Sequence, residues 1–396
     1  MTYTFDMYQT LGIAVVMLLV GEWLRKRITI LQKYCIPAPV IGGLIFALIM
    51  TMAYGFGGFD FKYDDTVKDI CMVMFFASVG FQADLKVLKS GGISLIIFLV
   101  IITALVFAQN GTSLGIASLL GVDSKVGLAT GSIPMLGGHG TAGAFGPILE
   151  DFGLTGATAI CTAAATYGLI AGSIMGGPLA QSLIRRHHLL EKAGSEAASV
   201  TETESEETKR YSLSGYASAA YQLAISMGLG TVVTWLLSLT GLKFPKYIGA
   251  LIVALLMRNI GDRIKPGRIR TEEINGLGSI SLNIFLGIAM ITLKMWQMAA
   301  LALPMLLLLL AQTVLMFLFA RFIVFNFMGR DYDAAVLAAG TCGFGMGATP
   351  NAMANMQAVT GKYRPSVKAY LLVPIVGGMF SDIINSLTIT MFINMI

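Results

Sequence analysis

Two glycine-rich stretches inside a strongly apolar chain restrict the possible folds of this sequence more than any other feature. Residues 137–143 read Gly-Gly-His-Gly-Thr-Ala-Gly, and residues 343–351 read Gly-Phe-Gly-Met-Gly-Ala-Thr-Pro-Asn. Glycines at this density, together with a proline, interrupt any helix that carries them. Interrupted backbone at membrane depth is tolerated only where it is buried in protein or lines a polar cavity. The two stretches therefore predict paired loops around a solute-binding site.

The composition is that of a membrane protein with many spans. Of the 396 residues, 56% are hydrophobic and 12% are charged, whereas soluble domains carry about 25% charged residues. Segments long enough to cross about 30 Å of hydrocarbon predict an all-α polytopic fold. In the first half they are 7–24, 35–54, 68–83, 92–119 and 156–182, and in the second half 214–240, 244–259, 274–293, 298–326 and 367–394.

The two halves repeat the same plan. Glycine-rich stretches at 126–148 and 333–358 precede the last span of each half and predict re-entrant hairpins. Gly121-Val-Asp123 and Gly329-Arg-Asp331 stand before these hairpins, and a Pro-containing segment opens the second span of each half. Because five crossings per half reverse the direction of the second half, we expect two inverted repeats, at 1–183 and 212–396, joined by a charged linker at 184–211.

The distribution of basic residues predicts the orientation in the membrane. With both termini outside, 21 of the 27 lysines and arginines fall on the cytoplasmic side, and the central linker is cytoplasmic as well. Cytoplasmic loops carry an excess of these residues. We therefore expect a multi-pass membrane protein, whose net charge of +5 reports topology and not binding of a nucleic acid.

Several chemical motifs are excluded by their context. Gly138 to Gly143 formally matches the dinucleotide-binding pattern, but no strand and helix of a βαβ unit surround it. No GxxxxGK[ST] motif occurs, so an ion gradient is a better energy source than ATP. The four cysteines lie in apolar stretches without metal-ligand spacing. We expect neither an enzyme nor an organic cofactor, and no metal other than Na⁺.

Polar side chains at membrane depth are costly and indicate function. Asp382, midway along the last span, shares a helix face with Asn385. Its carboxylate suits a substrate ammonium group, a sodium ion or a proton. His139 lies at the apex of the first glycine run, where a structural and a functional interpretation are equally open.

The candidate site combines these groups with the hydroxyl, amide and glycine residues of the hairpins. Uncapped glycine N–H groups attract carboxylates, and backbone carbonyl groups ligate Na⁺. The predicted substrate-binding residues are Ser132, Gly137, Gly138, His139, Gly140, Thr141, Thr166, Gly345, Gly347, Thr349, Pro350, Asn351, Asp382 and Asn385. The predicted sodium ligands are Thr341, Asn283 and Asp382. The run 72–76, Met-Val-Met-Phe-Phe, is interpreted as lipid-facing or packing surface.

The paired glycine motifs, with Tyr332-Asp333-Ala-Ala-Val-Leu-Ala-Ala-Gly340 upstream of the second, resemble the bacterial glutamate:sodium symporter family over essentially the whole chain. The resemblance implies Na⁺-coupled uptake of L-glutamate by a homodimer in the bacterial inner membrane, with an elevator-like movement of a transport domain. It also implies that Thr141, Thr349, Asn351 and Asp382 belong to the binding region. Two other functions stay open: Na⁺-coupled uptake of another small carboxylate, such as aspartate or a hydroxycarboxylate, and a gated channel.

Overall fold

The computed structural model describes residues 2–29, 31, 37–57, 60–84, 92–192, 213–240, 245–264, 269–293 and 301–396. Within these ranges the chain is almost entirely helical. The helices are α1 Met7–Arg27, α2 Ala38–Gly57, α3 Thr66–Gln82, α4 Gly92–Leu119, α5 Ser124–Thr130, α6 Ser132–Met135, α7 Gly138–Asp151, α8 Ala157–Arg186, α9 Leu189–Lys192, α10 Leu213–Ser238, α11 Ile248–Ile264, α12 Thr271–Ile291, α13 Ala302–Leu318, α14 Phe325–Phe327, α15 Tyr332–Gly345, α16 Thr349–Thr360, α17 Val367–Ile375 and α18 Ser381–Ile393.

Eight helices in the described ranges are long and apolar enough to cross a membrane, which confirms the prediction of a polytopic helical protein. They are α1, α2, α4, α8, α10, α12 and two composite helices, Ala302–Phe327 and Val367–Ile393. The other two predicted spans, 68–83 and 244–259, correspond to α3 and α11, which have 17 residues each. At 1.5 Å per residue these reach about 26 Å, just short of the hydrocarbon thickness.

Each composite helix contains a π-helical turn. Phe319–Val324 joins α13 to α14, and Val376–Phe380 joins α17 to α18. Pro374 lies two residues before the start of the second π-turn, and a proline inside a helix removes one backbone hydrogen bond. Gly377 and Gly378 lie within the same turn. The last span is therefore interrupted beside Asp382, which lies in the first turn of α18.

The two glycine-rich regions fold as helix, break and helix. Asp123 and Asp331 are the N-caps of α5 and α15, where their side chains accept hydrogen bonds from Lys125 N and Ala334 N. The glycine two residues before each cap has a positive φ, 65° at Gly121 and 123° at Gly329. A positive φ favours glycine, so the Gly-X-Asp pattern seen twice in the sequence places a positive-φ glycine before an aspartate N-cap in both places.

The helices pack as two groups. The frame group consists of α1, α2, α3, α10, α11 and α12, whose main contacts are with one another. The hairpin group consists of α4 to α8 and α13 to α18 and has its own large apolar core. Each group takes corresponding parts of both halves of the chain: the first three spans of each half form the frame group. The main contacts between the groups are those of α12 with α7 and of α3 with α18.

An apolar cluster fills the boundary between the two groups. Phe76 of α3 stacks on Tyr247 at a centroid distance of 3.8 Å, and Phe145 of α7 meets Tyr247 edge-on at 5.9 Å. All three side chains are fully buried. Phe285 of α12 packs on Gly143 of α7, where a Cβ atom would lie 2.7 Å from the Phe285 ring. Glycine at position 143 therefore permits the close approach of the two groups.

A small sheet departs from the all-α prediction. Strands β1 Thr2–Phe5 and β2 Asp60–Tyr63 pair in parallel, with Thr4 opposite Lys62. β1 precedes α1, and β2 lies between α2 and α3. The pairing requires α1 and α2 to run in opposite directions, so that both segments lie at the same end of the helices.

The predicted linker and one of the four cysteines fall partly or wholly outside the described ranges. The predicted linker 184–211 begins as helix, since α8 extends to Arg186 and α9 ends at Lys192, and residues 193–211 lie outside the described ranges. Cys71, Cys161 and Cys342 are buried free thiols, and Cys35 lies outside the described residues.

Candidate functional site

The tips of both glycine-rich regions line one cavity of about 200 Å³, here called the central cavity. It lies where α7, α16 and the π-turn of the last span meet α3 and α12. Eight of the predicted site residues line it: Gly137, Gly138, His139, Gly140, Thr141, Gly347, Thr349 and Asp382. Its volume is below the about 300–1,000 Å³ of sites for drug-sized ligands. The cavity therefore suits a small solute.

The two glycine motifs contact each other at this cavity. Gly138 has a φ of +59°, and a Cβ atom built on it would lie 2.8 Å from the carbonyl oxygen of Gly347. A side chain at position 138 would be disfavoured by the backbone conformation and would also collide with the second motif. Glycine here allows the backbones of the two hairpins to meet.

Two helices begin at the cavity without a side-chain cap. α7 starts at Gly138 and α16 at Thr349, and neither N-cap residue, Gly137 or Ala348, provides a side-chain hydrogen bond. The contrast is with α5 and α15, whose N-termini are capped by aspartates. Uncapped helix N-termini carry partial positive charge and bind anions such as carboxylates.

Asp382 supplies a negative charge to the same cavity. It lies in the first turn of α18 and forms no ion pair with any Lys or Arg in the described part of the chain. On the neighbouring π-turn, Gly377 accepts a hydrogen bond from Thr349 Oγ1 at 3.1 Å. The cavity thus joins two anion-attracting helix ends to one carboxylate that can hold a cation.

Asn385 and Ser132 form a buried polar pair next to the cavity. Asn385 Nδ2 donates to the backbone oxygen of Ser132 at 3.0 Å, and Asn110 Oδ1 accepts from Ser132 N at 2.9 Å. Asn385 Nδ2 also lies close to Gly137, 2.7 Å from a Cβ atom built there. Asn385 Oδ1 and Ser132 Oγ are buried and have no hydrogen-bond partner among the described residues. These two oxygens have unused hydrogen-bond acceptor capacity, although neither residue lines the cavity.

His139 combines a cavity position with a structural hydrogen bond. Its Nε2 lies 3.0 Å from Thr166 Oγ1, and that hydroxyl donates to Thr162 O at 3.0 Å. Because the Thr166 hydrogen is used in this way, the geometry favours the tautomer in which His139 Nε2 carries the proton and donates to Thr166. Thr166 itself does not line the central cavity and acts on it through His139.

The remaining predicted residues lie away from the cavity lining. Thr341 Oγ1 donates to Leu337 O within its own helix, and Asn351 Nδ2 donates to Leu169 O. Pro350 is exposed, the carbonyl oxygen of Gly345 accepts from Gln109 Nε2, and Asn283 of α12 is half-buried without contacting the cavity. Of the three predicted sodium ligands, Thr341, Asn283 and Asp382, Asp382 alone lines the central cavity.

Most of the other lining residues were missed because they present ring or aliphatic surface, or backbone alone. Phe75 lines the cavity, although the run 72–76 is interpreted from sequence as lipid-facing or packing surface. Met72 and Phe76 of the same run are buried packing residues. Leu282, Leu286, Gly377 and Gly378 also line the cavity. Of these residues, only the Gly377-Gly378 pair, which lies one helical turn before Asp382, could have been identified from the sequence.

Comparison with known proteins gives a consistent result. The sodium/glutamate symporter family model matches residues 3–365. The sodium/glutamate symporter of Escherichia coli K12 is 39% identical over 393 residues, covering 99% of this chain and 98% of the relative. That of Haemophilus influenzae is 38% identical over 390 residues, covering 98% and 96%.

The similarity to a solved structure is weaker. The sodium proton antiporter MjNhaP1 from Methanocaldococcus jannaschii is 15% identical, with a TM-score of 0.43 over 98% of this chain and 97% of the antiporter.

Proposed function

Because this chain belongs to the sodium/glutamate symporter family, we propose that it carries L-glutamate into the cell together with Na⁺. The family consists of transporters and not of enzymes. The single observation that supports this function best is the meeting of two uncapped helix N-termini and Asp382 at one small cavity. A solute with carboxylates and an ammonium group, or a carboxylate solute paired with a cation, matches this arrangement of charges.

The substrate carboxylates would lie against the starts of α7 and α16. The backbone N–H groups of the glycine motifs and the Thr141 hydroxyl would be the donors on that side, since the Thr349 hydroxyl donates to Gly377 O. His139 Nε2 is committed to Thr166, which leaves Nδ1 as its free ring atom. Asp382, which lines the same cavity, would take the substrate ammonium group or a sodium ion.

For Na⁺ we propose the Asp382, Asn385 and Ser132 side of the site. Na⁺ prefers oxygen ligands, and Asn385 Oδ1 and Ser132 Oγ are buried oxygens without a partner in the described ranges. Asn385 lies one turn after Asp382 in α18. An ion there would neutralise Asp382 beside the bound amino acid, so that each solute favours binding of the other.

We propose that the two halves, 1–183 and 212–396, are inverted repeats and that 124–151 and 332–360 form re-entrant hairpins. The matched Gly-X-Asp caps before α5 and α15 support this, as does the equal contribution of both halves to each helix group. The hairpin tips would then reach the central cavity from opposite sides of the membrane.

We also propose that both termini are outside the cell and that the central linker is cytoplasmic. Contacts between distant segments agree with this sidedness. Lys246 Nζ lies 2.7 Å from Asp69 Oδ2, and the topology assigns both to the outside. Arg258 Nη2 lies 3.1 Å from Asp84 Oδ2, and both are assigned to the cytoplasm. The β1 and β2 strands are both assigned to the outside.

Alternating access would come from movement of the hairpin group against the frame group, in the manner of an elevator. The binding residues on α7, α16 and α18 belong to the hairpin group, whereas Phe75, Leu282 and Leu286 belong to the frame group. The frame group would form the contact of a homodimer in the bacterial inner membrane. Movement of one group would then carry the bound solutes past a fixed partner.

The experiment that tests the function is uptake of radiolabelled L-glutamate into proteoliposomes. An inward Na⁺ gradient is compared with K⁺ in its place, and with excess unlabelled aspartate or citrate. We expect saturable uptake that requires Na⁺ and resists both competitors. If aspartate or citrate blocks the uptake, that competing carboxylate would be assigned as the transported substrate instead. Absence of Na⁺-driven uptake by demonstrably folded protein would contradict the glutamate assignment.

A further inference from the structure

Two adjacent residues of α4, Gln109 and Asn110, lie entirely inside the hairpin group, where their side chains are 1% and 0% exposed. A buried amide group is costly unless it is hydrogen-bonded. Each of these two side chains bonds to the backbone of a different hairpin, Gln109 to the second (α15 and α16) and Asn110 to the first (α5 to α7). Neither residue lines the central cavity, so an effect on transport has to pass through the hairpins.

Gln109 supplies a donor to the end of α15. This helix ends at Gly345, and Gln109 Nε2 donates to the Gly345 carbonyl oxygen at 2.7 Å. The last carbonyl groups of a helix have no partner within the helix. Gly347, which lines the central cavity and lies against Gly138, follows two residues later. Gln109 thus fixes the second hairpin at its break.

Asn110 makes the corresponding bond to the first hairpin. Its Oδ1 accepts a hydrogen bond from Ser132 N at 2.9 Å, at the start of α6, where the N-cap residue Gly131 provides no side-chain cap. A Cβ atom at position 131 would lie 2.6 Å from Asn110 Oδ1, so glycine permits this approach. Ser132 O in turn accepts from Asn385 Nδ2 at 3.0 Å. Asn110 therefore holds the first hairpin beside the residues proposed for Na⁺.

These bonds form one path from the sodium side to the second hairpin. It runs from Asn385 through Ser132 and Asn110 to Gln109 and Gly345. Gln109 and Asn110 are neighbours within a continuous helix, which fixes the positions of their backbones relative to each other. Gln109 Oε1 and Asn110 Nδ2 have no hydrogen-bond partner among the described residues. Within these ranges the bond to the hairpin is therefore the one that each side chain makes.

We propose that Gln109 and Asn110 are positioning residues that couple Na⁺ binding to glutamate binding. A sodium ion beside Asn385 and Ser132 orders the first hairpin, and α4 transmits this order to the break of the second. Glutamate then meets two glycine motifs that are already in place, and its binding costs less conformational entropy. This inference rests on the proposed function, because it takes Na⁺ and glutamate as the two solutes.

The test is the factor by which Na⁺ lowers the KM for L-glutamate uptake into proteoliposomes, measured between limiting and saturating Na⁺. Coupling between two sites is typically about 5- to 150-fold. Gln109→Met keeps the size of the side chain but removes the donor, and we expect it to reduce the native factor roughly threefold to tenfold, as for the loss of one hydrogen bond. Some coupling should remain, because Thr349 still bonds to Gly377 O at the other end of the break. The maximal rate should be unchanged, since both hairpins are ordered when both solutes are bound.

Gln312→Met is the matched control. Gln312 of α13 is fully buried as well, and its Nε2 donates to Gln109 O at 2.8 Å and to Ser113 Oγ at 2.6 Å. Both of these bonds go to α4 and not to a hairpin. Gln312→Met should therefore lower the melting temperature in detergent comparably to Gln109→Met but keep the native coupling factor.

If Gln109→Met yields no folded protein, Gln109→Asn decides the result, because its amide is one methylene group too short to reach Gly345 O. A native coupling factor in a folded Gln109 variant, or an equal loss of coupling in Gln312→Met, would overturn the positioning role alone. Absence of Na⁺-driven glutamate uptake by the folded native protein would overturn the proposed function and this inference together.

Discussion

Asp382 is the residue whose environment most directly suggests a ligand. A carboxylate within a span is costly unless a cation, a proton or hydrogen-bond donors stabilise it. Here it lines a cavity and has no ion pair within the described ranges. α18 continues from the π-turn of the same composite helix, so no free helix N-terminus lies at Asp382 to stabilise its charge. Its place in the helix does not account for its exposure to the cavity, which a bound cation would explain.

Asp382→Asn should therefore separate the sodium role from a packing role. The amide has nearly the same shape but no charge, and a hydrogen bond or ion contact to a charged group contributes about 1.5–3 kcal/mol. We expect the Na⁺ concentration for half-maximal uptake, the apparent glutamate affinity, or both, to worsen roughly tenfold or more. The measurement is uptake into proteoliposomes over a matrix of Na⁺ and glutamate concentrations.

Asp333→Asn is the control for this substitution. Asp333 lies in the first turn of α15, away from the cavity lining, and accepts a hydrogen bond from Ser366 Oγ that an amide oxygen can also accept. It should transport with native affinities. Unchanged glutamate affinity and unchanged Na⁺ dependence in Asp382→Asn would refute the role proposed for Asp382.

At this scale the sequence identifies which residues are unusual but not where they point. Asp382 and His139 can be selected because charged and ionisable groups are rare in apolar spans. Thr341 looks equally suitable as a ligand in the sequence, yet its hydroxyl donates a hydrogen bond to Leu337 O in its own helix. A hydroxyl can always turn back to the carbonyl four residues before it, so a threonine alone cannot be assigned to a ligand.

The helix breaks are the elements that create the central cavity. Asp123 and Asp331 cap the helices that lead toward it, whereas the helices that start at it are uncapped. The two motifs meet through Gly138, whose positive φ and contact with Gly347 both depend on the missing side chain. The function of these glycines is thus to place backbone N–H groups and not to add flexibility.

Gly138→Ala should impair transport and stability together. The alanine Cβ would lie 2.8 Å from Gly347 O, and a non-glycine residue in a left-handed conformation costs about 1–3 kcal/mol. We expect a lower melting temperature in detergent and at least a tenfold loss of Na⁺-driven uptake at matched protein amounts. Thermal unfolding and proteoliposome uptake are the two measurements.

Gly111→Ala provides the comparison, because nothing lies within 4 Å of a Cβ atom at that position in the middle of α4. Alanine is the better helix former by about 1 kcal/mol, so this variant should be at least as stable as the native protein and fully active. Native uptake by Gly138→Ala would show that the close approach of the two hairpins is unnecessary.

The presence of the helices and of the breaks between them could be predicted, because long apolar runs, glycine clusters and Gly-X-Asp caps are local signals. The prediction of ten spans placed each of them near an observed helix. The π-turn at Val376–Phe380 was not predicted, since it depends on Pro374 and on the packing of Gly377 against Phe344 across the structure. The β1 and β2 pairing was missed for the same reason, because its partners are more than fifty residues apart.

On the scale of the whole molecule, the division into a frame group and a hairpin group could not be predicted from sequence. The hydrophobic face of a span looks alike whether it meets lipid or another helix. In the structure the boundary is bridged mainly by apolar packing around Tyr247 and Phe285. Apolar contacts without directional bonds can slide, so a boundary of this kind is compatible with movement of one group past the other.

The last prediction tests that movement by restraining it. Ala159 of α8 and Ala289 of α12 lie in one apolar cluster on opposite sides of the boundary. In a background without the four native cysteines, Ala159→Cys with Ala289→Cys bridged by Hg²⁺ should abolish uptake, and a thiol should restore it. Ala14→Cys with Gly287→Cys is the control, because both positions lie in the frame group and the two Cβ atoms would be 3.5 Å apart, within reach of a bridge. Its bridging should leave uptake intact, since no relative movement of α1 and α12 is required. Full uptake by the quantitatively bridged Ala159 and Ala289 pair would exclude an elevator movement at this boundary, and alternating access would then have to arise within the hairpin group alone.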